Sequence, residues 1–130
     1  MDFAIPAHIA PTLERIDQLL ADRVIPAERE VLERGWVASA AILDELRAAV
    51  KAAGLWGPQI AKELGGMGLG LVDHGLVSER LGRSPLGHYS FGAQAPDAGN
   101  LEVLHKWGSP AQKTTWLEPL ARGEIRSCFS

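Results

Sequence analysis

Seven apolar residues near the start of the chain, Ile9, Leu13, Ile16, Leu20, Val24, Ala27 and Val31, recur at spacings of 4, 3, 4, 4, 3 and 4. Only a helix puts such positions on one face. Asp17, Asp22, Arg23 and Arg29 fall off the stripe, so the segment predicts an amphipathic helix of roughly six turns. Pro26 lies inside it. It has no N–H for the carbonyl of Asp22, which predicts a kink or a break; the stripe keeps its phase across the proline, which favours the kink. A face this long must be buried against other elements of the same kind.

The rest of the chain supplies them. Ser39 is placed to cap a second helix with Ile42, Leu46, Ala49, Val50 and Ala53 on its apolar face, and Gly54 fits the left-handed position past its end. A glycine-rich connection follows to Gly70 and predicts turns. Asp73 can cap a third helix carrying Leu76, Val77 and Leu81, closed by Gly82 and Pro85. Residues 84–95 are weakly patterned, with a helix favoured in the middle. Pro96 suits the start of the next helix, which carries Leu101, Leu104 and Trp107 and stops at Gly108. In Ser109-Pro110-Ala111-Gln112, serine caps, proline takes the first turn and glutamine reaches back to the cap amide. That helix carries Trp116, Leu117 and Leu120, is disturbed by Pro119 and ends at Gly123. The expected fold is all-α, an antiparallel bundle of five or six helices over residues 1–124. Residues 125–130 read as the first residues of a β-strand, and no other segment alternates at period two to pair with it.

The 130 residues suffice for one domain with a core, 46% of them are hydrophobic, and the formal charge of -3 gives nothing to attract a polyanion. Nucleic-acid binding is not expected. No stretch approaches the roughly 20 apolar residues that cross a bilayer. The start, Met1-Asp2-Phe3, has neither the basic region nor the apolar run of a signal peptide. The one cysteine, Cys128, cannot form an internal disulfide and reads as a small buried hydrophobe. Together these features suggest a cytoplasmic protein.

Residue chemistry alone names no reaction. Gly66-Met67-Gly68-Leu69-Gly70 superficially resembles a dinucleotide loop, but no strand precedes it, so a set of turns is the better reading. His8, His74, His88 and His105 share no metal-ligand spacing, and no metal site is expected. Glu79, Glu102 and Glu118 sit on helices as ordinary surface acids, Glu102 four residues before Lys106. No serine lies in a nucleophile elbow.

Six segments taken in order do point to a family: Gly54-Leu55-Trp56-Gly57-Pro58-Gln59-Ile60; Glu63-Leu64-Gly65-Gly66-Met67-Gly68-Leu69; Val77-Ser78-Glu79-Arg80-Leu81-Gly82-Arg83; Leu104-His105-Lys106-Trp107-Gly108-Ser109; Gln112-Lys113 with Trp116-Leu117-Glu118-Pro119-Leu120-Ala121-Arg122-Gly123; and Cys128-Phe129-Ser130. In this order and with these gaps, the chain resembles the N-terminal helical domain of the flavin-dependent acyl-CoA dehydrogenases. The resemblance covers most of its length.

The resemblance implies an enzyme of three parts, with a β-domain and a C-terminal helical domain after this one. It implies FAD as cofactor, an acyl-CoA substrate, an electron-transfer partner and a homo-oligomer. In the family a glutamate of the C-terminal domain takes the α-proton while the β-hydrogen leaves as hydride to the flavin. That glutamate has no counterpart here, so no catalytic residue is expected in this chain and the chain alone is expected to be inactive. Phe129 and Ser130 match the first two positions of the family's flavin-contacting strand, whose Thr-Glu-Pro stretch is absent. Ala95, Pro96, Asn100, Leu101 and Leu104 are implied near the slot for the acyl tail; for Leu101 and Leu104 a plain core role is the competing reading. An apolar surface is expected where the β-domain docks. The alternatives are a helical interaction or acyl-binding module without catalysis, and a nucleotide-binding protein using the glycine-rich loop.

Overall fold

In a computed structural model that describes residues 4–130, the long amphipathic segment forms as α1 (Ala10–Leu19), a π-helical turn at Leu20–Val24 and α2 (Ile25–Arg34). Residues 1–3, with which the reading of the N-terminus began, lie outside the described residues. The disturbance expected at Pro26 takes the form of the π turn. The amide of Ile25 donates to the carbonyl of Leu20, five residues back, and the wider turn accommodates a ring with no amide to give. Leu20, Val24 and Val31 all remain at 0% exposure, so the apolar face survives the proline. The same device precedes Pro119: Lys113–Leu117 forms a second π turn, in which the amide of Glu118 donates to the carbonyl of Lys113.

Helix α3 spans Ala40–Ala52. Ser39 does stand at its cap position, but its buried hydroxyl makes no capping bond. The far end closes as expected. Gly54 takes φ 68°, its amide bonds to the carbonyl of Lys51 at 2.9 Å, and that of Leu55 bonds to the carbonyl of Val50 at 3.1 Å. Helix α4, Leu71–Leu81, begins earlier than an Asp73 cap would require, with Gly70 at the cap. Asp73 instead sits in the first turn, where its charge suits the helix dipole, and bonds His8 Nε2 at 2.9 Å. The weakly patterned stretch holds one short helix, α5 (Gly87–Ser90). Then come α6 (Asp97–Trp107), α7 (Pro110–Gln112), the second π turn and α8 (Glu118–Ala121). The capping box is formed: Ser109 N–H donates to Gln112 Oε1 at 2.8 Å, and Gln112 N–H to Ser109 Oγ at 3.3 Å.

Two apolar clusters hold these helices. The larger joins α1 to α5 and includes Ile16, Leu20, Val50, Val77, Leu81 and Phe91. The smaller, Ile60, Leu101, Leu117, Leu120 and Ala121, locks α6 onto α8 and the glycine-rich connection. Each fully buried leucine or isoleucine contributes on the order of 2 kcal/mol.

The fold class is all-α as read, with one departure at the C-terminus. Residues 126–130 take no regular secondary structure. A strand requires a ladder partner, and none of the described residues forms one. Cys128 is exposed, against the expectation of a buried hydrophobe, because the tail that carries it leaves the core. No helix among the described residues is long and apolar enough to cross a membrane.

Candidate functional site

The glycine-rich connection folds onto itself. Gly57 accepts from the amides of Ile60 at 2.9 Å and Met67 at 3.0 Å, Ile60 accepts from Gly68 at 2.8 Å, and Pro58 accepts from Leu69 at 2.9 Å. At Gly66 an added Cβ would lie 2.2 Å from the carbonyl oxygen of Ile60. Gly66 therefore serves close backbone packing, and the amides of Ile60, Met67, Gly68 and Leu69 are taken up by carbonyls of the connection itself. That arrangement fits turns and not a phosphate cradle.

A better candidate lies between α6, α8 and the tail. An open groove of about 390 Å³ is walled by Asn100, Val103, Leu104, Trp116, Leu120 and Ile125, with Arg126 and Ser127 at its edge. Residues 100, 103 and 104 share one helical face. Leu101 lies on the core side of that face, and Leu104, while lining the groove, packs against the same core cluster. At 6% exposure Leu101 belongs to the smaller core cluster and borders a separate recess of about 300 Å³ with Ile60, His74 and His105. The candidates implied by the resemblance are thus divided. Asn100 and Leu104 line the groove, Leu101 backs it from the core, and Ala95 and Pro96 form the turn before α6 without lining it. Phe129, 85% exposed, and exposed Ser130 lie at the end of the tail. Val103, Trp107, Trp116, Ile125 and Phe129 leave a large apolar area in the open on α6, the second π turn and the tail.

The tail is anchored by a residue that the sequence does not single out. Asp97, 4% exposed, sits at the first position of α6. Its Oδ1 accepts from the Ser127 amide at 2.8 Å and the Ser127 hydroxyl at 2.6 Å, and its Oδ2 from Arg126 Nε and Gln94 Nε2, each at 2.5 Å. Burial alone would raise its pKa, but the bonds from Ser127 and from Arg126 hold it below the ordinary carboxylate value. Asn100 Nδ2 donates to Ser127 Oγ at 2.9 Å, so the groove wall and the anchor share a residue. An acid after Pro96 reads only as a generic first-turn acid; two of its partners, Arg126 and Ser127, lie some thirty positions on.

A column of cations and rings stands behind this anchor. The Arg126 guanidinium lies 4.8 Å from the Tyr89 ring, Arg47 lies 5.2 Å from Tyr89 and 5.0 Å from Trp56, and Lys51 lies 4.6 Å from Trp56. The same donors hold the C-terminal end of α8: Trp56 Nε1–H donates to Ala121 O, Lys51 to Arg122 O and Arg47 to Gly123 O. Cations at a helix C-terminus match its dipole. Burial, and then the charge of Arg47, lower the Lys51 pKa. Elsewhere His88 bonds Ser78 Oγ at 2.8 Å and is held below its ordinary pKa by burial and by His74. No group of three or more His, Cys, Asp or Glu that could hold a metal ion occurs among the described residues.

Comparisons with known proteins show which proteins this chain is similar to. The family model described as "Acyl-CoA dehydrogenase, N-terminal domain" matches residues 11–124. Acyl-CoA dehydrogenase family member 11 of Mus musculus is 39% identical over 129 residues, covering 90% of this chain. The (R)-benzylsuccinyl-CoA dehydrogenase of Thauera aromatica is 34% identical over 139 residues, covering 99% of this chain. A solved structure described as "Structure of a putative acyl-CoA dehydrogenase from Mycobacterium abscessus" superposes with a TM-score of 0.84 at 37% identity over 95% of this chain. The chain spans 16% of the length of the mouse relative and 34% of the lengths of the other two.

Proposed function

The chain belongs to the acyl-CoA dehydrogenase N-terminal domain family, and from that premise we propose that it forms the helical part of the substrate site in a flavin-dependent enzyme that introduces an α,β double bond into an acyl-CoA. In this reading the acyl tail lies in the groove against Asn100 and Leu104. Ala95 and Pro96 border its approach, and Leu101 supports it from behind. Residues 125–130 begin the β-domain, with Phe129 and Ser130 opening the segment that contacts FAD. Both residues are exposed, as residues that face a flat ring system would be. Bound FAD supplies the hydride acceptor.

What these residues do is bind, orient and exclude water. An apolar slot with a few polar groups at its edge is suited to an alkyl chain carrying a polar head. Glu79, Glu102 and Glu118 lie exposed on helix surfaces outside the groove, which supports a reading in which the base that takes the α-proton belongs to another part of the protein and this chain alone is inactive. The electron-transfer partner and the homo-oligomer rest on the family resemblance. A cytoplasmic location is supported by the single cysteine, which cannot form an internal disulfide.

One observation carries the reading. Asn100, a wall of the groove, is hydrogen-bonded to Ser127, two residues before Phe129. In this reading the acyl slot and the flavin-matching residues adjoin, and the Asn100–Ser127 bond supports it.

The test is anaerobic addition of acyl-CoA to the protein that carries this domain, following the visible absorption of its flavin. Bleaching is expected, and Leu104→Trp, which fills the groove, should weaken acyl-CoA binding while leaving flavin content unchanged. A protein without flavin, or one whose flavin no acyl-CoA bleaches, would replace this reading with that of a helical acyl-binding module.

A further inference from the structure

The Asp97 anchor holds more than a side chain. The Ser127 amide on Oδ1 fixes the main chain of the tail, and the hydroxyl of the same residue fixes its rotation. Arg126 is held twice, by Oδ2 and by the face of Tyr89. From the other side, Gln94 holds the carboxylate at the turn that carries Ala95 and Pro96. One buried carboxylate thus joins the turn before α6, the groove residue Asn100 through Ser127, and the last fixed point of the tail. Among the described residues, nothing comparable holds the chain between Ser127 and Phe129, which is 85% exposed.

We infer that Asp97 is a positioning residue: through Arg126 and Ser127 it sets where the chain leaves the helical domain, and so where Phe129 and Ser130 are presented to the flavin relative to the acyl groove. The inference rests on the proposed function for its flavin half, and on geometry alone for its anchoring half. From Ser127 to Phe129 is about 7 Å of extended chain, so a shift at the anchor passes to Phe129 with little loss. A misplacement of about 1 Å is enough to lower a reaction rate by on the order of a hundredfold.

Asparagine is the informative replacement. It can turn its oxygen toward Ser127 or toward Arg126 and Gln94, and whichever it faces, its NH₂ meets donors on the other side. The first arm of the test measures amide hydrogen exchange in the 130-residue chain. In Asp97→Asn the Ser127 amide should exchange at least tenfold faster than in the wild type, while amides in the middle of α1 and α3 are unchanged. Ser127→Ala, a change on the half-buried tail and outside the core, removes the hydroxyl bond to Asp97 and should speed exchange of the amide at position 127 without affecting the helices. Unchanged exchange at Ser127 in Asp97→Asn overturns the anchor.

The second arm uses the flavin-loaded protein. Asp97→Asn should shift the flavin absorption spectrum and lower kcat at least tenfold, with KM for acyl-CoA changed less than twofold. If the tail loosens in the first arm while spectrum and kcat stay at wild-type values, the positioning role is overturned and the proposed function stands. A protein that carries no flavin overturns the proposed function together with the flavin half of the inference, and the exchange data still report on the anchor separately.

Discussion

The indole N–H of Trp56 donates to the carbonyl of Ala121 at 2.8 Å in a buried bond between residues 65 positions apart. Trp56 follows α3 and Ala121 ends α8, so this bond ties the core of the long helices to the wall of the groove. Its removal leaves a buried carbonyl without its donor. Trp56→Phe should therefore cost about 2 kcal/mol, and Trp56→Ala about 3–5 kcal/mol because the ring volume is lost as well. Urea denaturation measures both. A loss below about 0.5 kcal/mol for Trp56→Phe would mean that water takes over the bond.

Two leucines three residues apart on α6 separate packing from binding. Leu101, 6% exposed in the smaller core cluster, should cost about 2–5 kcal/mol when replaced by alanine. Leu104, half-buried on the groove, should cost about 1 kcal/mol. In the flavin-loaded protein the order reverses, with Leu104→Ala giving the larger change in acyl-CoA affinity per kcal/mol of stability lost. If acyl-CoA affinity ignores Leu104→Ala, the groove is not where the tail binds.

Two glycines should respond to alanine in opposite directions. At Gly66 the new Cβ would stand 2.2 Å from the carbonyl oxygen of Ile60, a backbone atom that cannot step aside alone. That overpacking should cost about 1–3 kcal/mol. Gly75 lies inside α4 with nothing within 4 Å of the new atom, so Gly75→Ala should stabilise by about 0.5–1 kcal/mol. Thermal melts of both variants settle the pair, and a melting temperature raised by Gly66→Ala would contradict the packing described for the loop.

The pH dependence should carry a histidine signature. Burial and then His74 hold the His88 pKa below its ordinary value, which in the unfolded chain is about 6.5. Above that value both states are neutral. As pH falls from there towards the folded-state value, the unfolded chain takes up a proton that the folded chain resists, so stability falls. Denaturation midpoints between about pH 7 and about pH 5 should decline in the wild type and decline less in His88→Gln. Parallel declines in the two proteins would remove His88 as the cause. Asp97, also depressed, has the carboxylate sign: its contribution is present above the unfolded value near 3.9 and is lost as pH falls through the folded one.

The open apolar area made by Val103, Trp107, Trp116, Ile125 and Phe129 should make the 130-residue chain bind a hydrophobic dye or self-associate. Replacing Trp107 and Phe129 with serine should cut dye fluorescence at least by half with little change in melting temperature, since both are exposed. A monodisperse wild-type monomer that binds no dye would argue against a docking role for this face.

What the sequence determined by itself was local. The stripe from Ile9 to Val31, the Ser109–Gln112 capping box and the stop signals at Gly54 and Gly123 each depend on residues within a few positions of one another, and each formed as read. The two prolines were legible as disturbances but not as π turns, because the choice between a kink and a wider turn depends on what the helix must bury on both sides. Tertiary structure alone decided the rest. It placed Leu101 in the core and Leu104 on the groove, left Ser39 without a capping bond and the tail without a strand, and gave Asp97 two partners some thirty positions away. A single chain records neighbours in sequence directly, whereas a long-range hydrogen bond between one ordinary aspartate and one ordinary serine has no periodicity or spacing to betray it before the chain is folded.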